Sequence, residues 1–335
     1  MTGEARGPLE SRVTAVLVAY NRRELLGESL EALAAQSRQV DRLVVVDNAS
    51  TDGSAEVADA LVEAWGERGR VIHLAKNTGG AGGFAVGIAA AVVDPETDWV
   101  WVMDDDTVPG PDALAGALAT HARYLEGGAD DLAVMGSRVV WIDGDDHPMN
   151  TPKAKIRASR AERSRAAAAG AMEIRSISFV SAFLRAARVR ELGLPIADYF
   201  LWNDDFEYSA RLLRGARGLF APDSLVTHKT AKRGSSDADP GERFFFEVRN
   251  KLWVFRRSDA LYPWEKALYR AATARRWVRT FRASADRGVL RDCLRRGLRE
   301  GLRSRPRPNT DALRDSGVPV DVMIEVERLE KVERR

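Results

Sequence analysis

WVWVMDDD, Trp99 to Asp106, sets five apolar residues directly against three carboxylates. An apolar run of this length, with no polar residue interrupting it, suits a strand buried on both faces; a strand with one wet face alternates. The same pattern recurs upstream. VTAVLVAY (Val13 to Tyr20) ends at Asn21, LVVV ends at Asp47 and Asn48, and VIHL is followed by Asn77. Helical spacing separates these runs in Leu25, Leu26, Leu30 and Leu33, then from about Ser54 to Trp65, and again in a small-residue stretch from about Ala81. Short apolar strands alternating with helices of about 10–15 residues predict βαβ units and a mostly parallel sheet flanked by helices, an α/β fold. All four strand exits are polar, and open parallel sheets bind ligands beyond the carboxyl ends of their strands. A site is expected at that edge.

The chain has 335 residues, enough for one large domain or two modest ones, and its 45% hydrophobic and 30% charged composition excludes a disordered chain or a coiled-coil rod. Fifty-one basic against 49 acidic residues leave +2, which argues against a dedicated nucleic-acid binder. One cysteine excludes a disulfide framework and a cysteine-built zinc site and suits a reducing cytoplasm, and four histidines exclude a histidine-rich metal centre. The start, MTGEARGPLESR, has no apolar core and does not read as a secretory signal. The longest uncharged run, Asn77 to Val93, holds seventeen residues with five glycines, too few and too small to span a bilayer.

From about Asp131 the pattern loosens. Leu132 to Ile142 predicts a strand, and Pro148 to Ala171 a polar loop with a surface helix. Ser176 to Leu192 predicts a strand running into a helix stopped by Gly193 and Pro195. Another helix starts at Asp204 or Asp205 and closes at Gly215, and Lys229 to Glu242 predicts a mobile loop. Between Ser258 and Asn309 fourteen Lys or Arg face five Asp or Glu, a net of +9, so the remainder carries −7. Apolar residues recur there at helical spacing in Trp277, Val278 and Phe281, then in Leu290, Leu294, Leu298 and Leu302. This is a basic amphipathic segment, either a solvated face packed on the domain or a surface for anionic membrane. The tail to Arg335 is expected to be a loosely held helix. The expected division is a catalytic domain over 1–257, with halves of about 13–124 and 131–257, and a basic helical region over 258–335.

Three constellations carry chemistry. Alternate residues at a strand exit point to one side, so Asp104 and Asp106 are placed to share a divalent cation. NTGGAGGF, Asn77 to Phe84, lets backbone N–H groups approach an anion at a helix N-terminus. Gly80, Gly82 and Ala85 also fit the loose dinucleotide pattern, which keeps a nicotinamide or flavin oxidoreductase open as an alternative. FLWNDDFEY pairs Asp204 and Asp205 with Trp202, Glu207 and Tyr208, a carboxylate base beside an aromatic platform for a sugar or similar ring. Capping of the helix accounts for one of these carboxylates. His228 precedes the loop, and His73, His121 and His147 read as structural.

VTAVLVAYNRRELLGESLEAL (Val13 to Leu33), VVVDNASTDGS (Val44 to Ser54), the glycine run and MDDD resemble, in that order, the nucleotide-sugar half of family-2 glycosyltransferases with the A-type fold. NTGGAGGF, NDDFEY, THKT (Thr227 to Thr230) and ERFFFEVRN (Glu242 to Asn250) resemble the bacterial galactofuranosyl- and rhamnosyl-transferase branch of cell-wall polysaccharide synthesis. The resemblance implies the A-type fold with a helical C-terminal extension. It implies donor binding by Tyr20, Asn21, Asp47, Asn77, Gly79, Gly80, Gly83 and Asp105, with Asp104, Asp106 and His228 holding Mg²⁺ or Mn²⁺. Asp205, or failing that Asp204, would be the base, with Trp202, Glu207 and Tyr208 at the acceptor. The implied activity is inverting transfer from a UDP- or dTDP-linked sugar to a glycan acceptor carried on a polyprenyl lipid, at the cytoplasmic face of the membrane. A scaffold of the same fold without catalysis is the remaining alternative, and it would be expected to have lost one of the three carboxylate motifs.

Overall fold

A computed structural model describes residues 7–128, 131–230 and 239–333. The first half runs β1 (Val13–Ala19), α1 (Arg23–Ala34), β2 (Arg42–Asp47), α2 (Ser54–Glu63), β3 (Gly69–His73), α3 (Gly79–Val93), β4 (Trp99–Asp104), β5 (Thr107–Pro109) and α4 (Ala113–Glu126). The second half runs β6 (Leu132–Val140), β7 (Lys153–Ala154), α5 (Arg160–Ala168), β8 (Met172–Ser176), β9 (Ala182–Arg185), α6 (Ala186–Leu192), α7 (Asp204–Leu212) and β10 (Arg217–His228). Helices α8 (Phe244–Arg257), α9 (Pro263–Ala283), α10 (Arg287–Arg303), α11 (Asn309–Ala312) and α12 (Val320–Glu333) complete it.

One sheet orders its strands β3-β2-β1-β4-β9-β6-β10-β8-β7, with β5 paired to β10. The expected parallel βαβ half is present: β2 and β4 flank β1 in parallel, and β3 follows β2 in parallel. The second half is mixed, since β9 lies antiparallel to both β4 and β6, while β10 runs parallel to β6. Over Ser176 to Leu192 the expected strand running into a helix is present as β9 and α6, stopped at Gly193, but the strand begins only at Ala182, because β8 ends at Ser176 elsewhere in the sheet.

Period two decides the layering. Val13, Ala15, Leu17 and Ala19 of β1 face the core beneath α1, α2 and α4, whereas Val16 and Val18 face α3. Strand order reverses direction between β1 and β4, and in open α/β sheets such a switch point marks the place beyond the carboxyl ends where ligands bind, at the predicted edge. The tail differs from expectation. Val322, Val326 and Leu329 of α12 are fully buried in the same core as α3, because they recur at helical spacing and offer an apolar stripe that α3 and α6 accept. On α10, Leu290 and Cys293 pack against Phe244 and Val248 of α8, with Leu294 and Leu298 alongside, so its apolar seam is covered by the domain. Within the loop expected over Lys229 to Glu242, residues 231–238 lie outside the described ones. No helix among the described residues is long and apolar enough to cross a membrane.

Candidate active site

Alternation past the end of β4 sorts the three aspartates. Asp105 turns towards β1, where its Oδ2 accepts the Tyr20 backbone N–H at 2.8 Å and ties the two strand exits together. Asp104, Asp106 and His228 each offer one oxygen or nitrogen within 4.8 Å of the others. Burial, with the charge of Asp106 added, pushes the Asp104 carboxyl up to about 6, and burial takes Asp105 up to about 7. Arg22, just beyond β1, pairs with Asp106 and lies 3.5 Å from Asp105.

The chemistry of this donor set fits a hard divalent cation. Asp106 Oδ1 is buried with no hydrogen bond donated to it, and His228 Nε2 lies 3.1 Å away. His228 Nδ1–H donates to Asn150 Oδ1 at 2.9 Å, and the Asn150 amide is oriented by its own N–H bond to Ser178 Oγ at 3.1 Å. The Nε2 lone pair therefore faces carboxylate lone pairs, an arrangement that only a proton or a bound cation reconciles. His147, read from sequence as merely structural, lies against His228 with ring centroids 4.9 Å apart and bonds Thr230 Oγ1 through Nε2 at 3.1 Å. The Asn150 amide and the His147 ring thus brace the histidine.

The turn at Asn77–Gly79 is organised by Asn48, one of the polar strand exits. Its Oδ1 accepts the N–H and hydroxyl of Thr78 at 2.8 and 3.0 Å, and its Nδ2 donates to Asn77 Oδ1 and Gly79 O at 3.1 and 3.0 Å. Gly79 has φ +72°, and a Cβ there would lie 2.0 Å from the carbonyl oxygen of Phe200, so the turn admits only glycine. Gly79 and Gly80 are the first residues of α3, with their N–H groups at its positive end. Gly83 lies a turn further in, where a Cβ would meet Val18 Cγ1 at 2.5 Å, and close helix–sheet packing accounts for it. Asp47 is buried at the exit of β2, accepting the Ser50 N–H at 3.1 Å with His73 Nδ1 at 3.4 Å. Asn21 (φ 53°) accepts the Thr51 N–H through Oδ1 at 2.7 Å, and the Tyr20 side chain is exposed.

Asp204 and Asp205 open α7 after a strained approach. Phe200, Trp202 and Asn203 have φ of 63°, 65° and 67°. Conformations of this kind cost of order 1–3 kcal/mol each in a non-glycine residue and concentrate at functional sites. The helix start caps no backbone with a side chain from Asn203; instead Asp205 Oδ1 accepts the Phe206 N–H at 2.6 Å. Burial raises both carboxyls. The Asp205 charge raises Asp204 further, whereas Lys251 and Lys153 oppose the shift at Asp205. The Asp205 charge adds to the rise at Asp104, and the Asp104 charge to the rise at Asp204. Lys251, buried with its ammonium 4.1 Å from the Phe206 ring centroid, is drawn down to about 8 by that burial.

Two residues expected at an acceptor are not available to one. Tyr208 is 0% exposed, its hydroxyl donating to Gly193 O at 2.8 Å, and Glu207 is 1% exposed, paired with Arg211 at 2.9 Å and accepting from Ser258 Oγ at 2.6 Å. They lie three and four residues into α7, on the side that faces the core. Trp202 remains half-exposed before the aspartates.

A family model described as glycosyl transferase family 2 matches residues 14–188. Galactofuranosyltransferase GlfT1 of Mycobacterium tuberculosis is 31% identical over 260 residues, which cover 72% of this chain and 81% of that protein. Its Mycolicibacterium smegmatis counterpart is 31% identical over 207 residues, 60% of this chain and 65% of that protein's length. Among solved structures, a mannosyltransferase from Pyrobaculum calidifontis in complex with GDP-Man and Mn²⁺ shares the fold at a TM-score of 0.56 and 19% identity, covering 93% of this chain and 81% of that one.

Proposed function

The chain belongs to glycosyltransferase family 2, and from that premise we propose that it transfers galactofuranose, with inversion, from a UDP-linked donor to a glycan acceptor carried on a polyprenyl lipid. The observation that carries the reading is the cluster of Asp104, Asp106 and His228 at the sheet edge, joined by a second carboxylate pair at the start of α7 whose Asp205 charge raises Asp104. Galactofuranose is favoured over rhamnose by the 31% identity to galactofuranosyltransferases. The oxidoreductase alternative falls with the family membership, and the glycines open the third βα unit rather than the first.

Asp104, Asp106 and His228 would hold Mg²⁺ or Mn²⁺, which would neutralise charge gathering on the departing nucleoside diphosphate. The positive end of α3 and the Asn77–Gly80 turn receive the donor beside them, with the Thr78, Gly79 and Ala81 N–H groups already held by Asn48, Asn77 and Phe200. Asp205 takes the acceptor hydroxyl's proton as that oxygen attacks the anomeric carbon opposite the leaving diphosphate, and a single displacement inverts the centre. Asp205 is preferred to Asp204 because the Phe206 N–H and the nearby lysines favour its ionised form, whereas Asp204 has the Asp205 charge against it.

A thermal-shift panel with Mn²⁺ tests the donor. UDP-galactofuranose should stabilise the protein strongly, by about 2.7 kcal/mol at a hundredfold excess over Kd, and dTDP-rhamnose should not; the reverse result replaces galactofuranose by rhamnose. Asp205→Asn should still bind donor but transfer at least ~100-fold more slowly, and activity retained there but lost in Asp204→Asn moves the base. Transfer undiminished by EDTA would remove the metal from the reading.

The lipid-linked acceptor finds support in α9. Leu268, Arg275, Val278, Arg279 and Arg282 are exposed at helical spacing, while the helix's one carboxylate, Glu265, is buried against Arg175 at 2.7 Å. A carboxylate-free face of arginines and aliphatics suits an anionic membrane surface. Co-sedimentation with phosphatidylglycerol vesicles in low salt should be lost in Arg275→Glu/Arg279→Glu/Arg282→Glu; binding equal to wild type would discard this face.

A further inference from the structure

The motif ERFFFEVRN has no role in the chemistry above, yet its residues converge on the segment that carries the base. Glu247, Asn250 and Lys251 recur at i, i+3 and i+4 and share one face of α8. Glu247 Oε2 accepts from Asn203 Nδ2 at 2.9 Å. Asn250 is 0% exposed, and its one amide group donates to three carbonyls of the approach segment: Tyr199 O, Leu201 O and Trp202 O, at 3.0, 2.9 and 2.8 Å. Its orientation is unambiguous, because Oδ1 accepts from Arg249 Nε at 3.0 Å, and Arg249 Nη2 itself reaches Asp198 O and Tyr199 O at 2.8 and 3.1 Å.

What these bonds hold is strained. Phe200 (φ 63°, ψ −59°) with Leu201 N–H on Tyr199 O at 2.7 Å is a γ-turn of the rare form, and Trp202 and Asn203 follow in the left-handed region. Three side-chain positions of positive φ within four residues do not persist unless surrounding groups over-determine them. The same segment also touches the donor side, since Phe200 O accepts the Ala81 N–H at 3.2 Å and closes over Gly79.

We propose that Asn250 is a positioning residue for the transfer step, clamping the strap Tyr199–Asn203 so that Asp205 is held in register with a sugar donor over the Gly79 turn. The inference rests on Asp205 being the base. Asn250 touches neither substrate nor the reacting atoms; it acts through the strap.

The test is Asn250→Leu in the full chain, similar in size but without hydrogen bonds. Expected is a fall in kcat of about 10–100-fold, as a base displaced by an ångström gives, with donor KM and Mn²⁺-dependent UDP affinity by calorimetry close to wild type. Hydrogen exchange should quicken at 199–205 while β4 stays protected. An unchanged kcat, unchanged exchange in the strap, or loss of UDP affinity matching the loss of kcat would overturn the proposal. Should Asn250→Leu not fold, Arg249→Lys decides: it keeps a cation beside Glu300, loses the Nε–H to Asn250, and should lose kcat with strap exchange raised; a folded Arg249→Lys with full kcat overturns it. If the wild type transferred no sugar, the transferase reading would fail, and strap exchange would still judge the clamp.

Discussion

Asp204 sits where burial and the neighbouring Asp205 charge hold its carboxyl well above the ordinary range. The unfolded chain ionises the same group near ~3.9. Between that value and the raised folded one, the folded state keeps a proton that the unfolded state has released, so stability falls as pH rises across the window. Asp204→Asn cannot ionise and escapes this loss. In EDTA it should melt above wild type at pH 7.5, the gap closing towards pH 4; parallel thermal melts at both values check it, and equal melting points throughout would mean Asp204 ionises without cost. At this scale the sequence was legible where geometry is local. Alternation alone separates Asp104 and Asp106 from Asp105, and a glycine at φ +72° is readable as a turn. It was not legible for Tyr208, Glu207 or Asn150. Whether a side chain at a helix start faces solvent or core depends on what packs there, and a lone Asn shows no sign of the histidine it will meet 78 residues on.

Helix α3 lies on β1 with no room to spare, because Gly83 and Gly87 bring it against Val18 and Val16, with added Cβ atoms at 2.5 and 2.4 Å from their Cγ1 atoms. This contact sets the height of the α3 N-terminus above the sheet. Gly83→Ala should destabilise by about 1–3 kcal/mol through overpacking, and Val18→Ala, which vacates the space, should recover part of it in the double mutant. Additive losses in urea unfolding of the cycle would show that the two do not share one contact. Most element types in the first 126 residues follow from local pattern, since β1, β2 and β4 are apolar runs and α1, α2 and α4 bury one stripe, while α3 is small and apolar nearly all round. Register breaks in the second half do not, because β9 enters between β4 and β6 in the opposite direction through long-range pairing that four residues cannot announce.

Across the molecule, charge and closure are separate matters. The +9 of Ser258 to Asn309 resides on α9, α10 and their flanks. The chain then returns, and α12 places Val322, Val326 and Leu329 in the core of the sheet. It is therefore a structural layer rather than a loose tail, and Leu329→Ala should cost about 2–5 kcal/mol in a single cooperative transition. A change under ~0.5 kcal/mol, the range of ordinary surface substitutions, would contradict the packing described.

By itself the sequence determined the α/β class, the polar edge, the glycine turn and the two carboxylate motifs, because each is written in neighbours whose spacing dictates which way a side chain points. Only the tertiary structure decided that Asn150 and His147 brace His228, that Asn48 orders the Asn77–Gly79 turn, and that Arg249 and Asn250 hold the strained strap before Asp204. Those partners lie roughly 30 to 80 residues apart in the chain and meet because strands and helices from both halves converge on one edge, which no local pattern encodes.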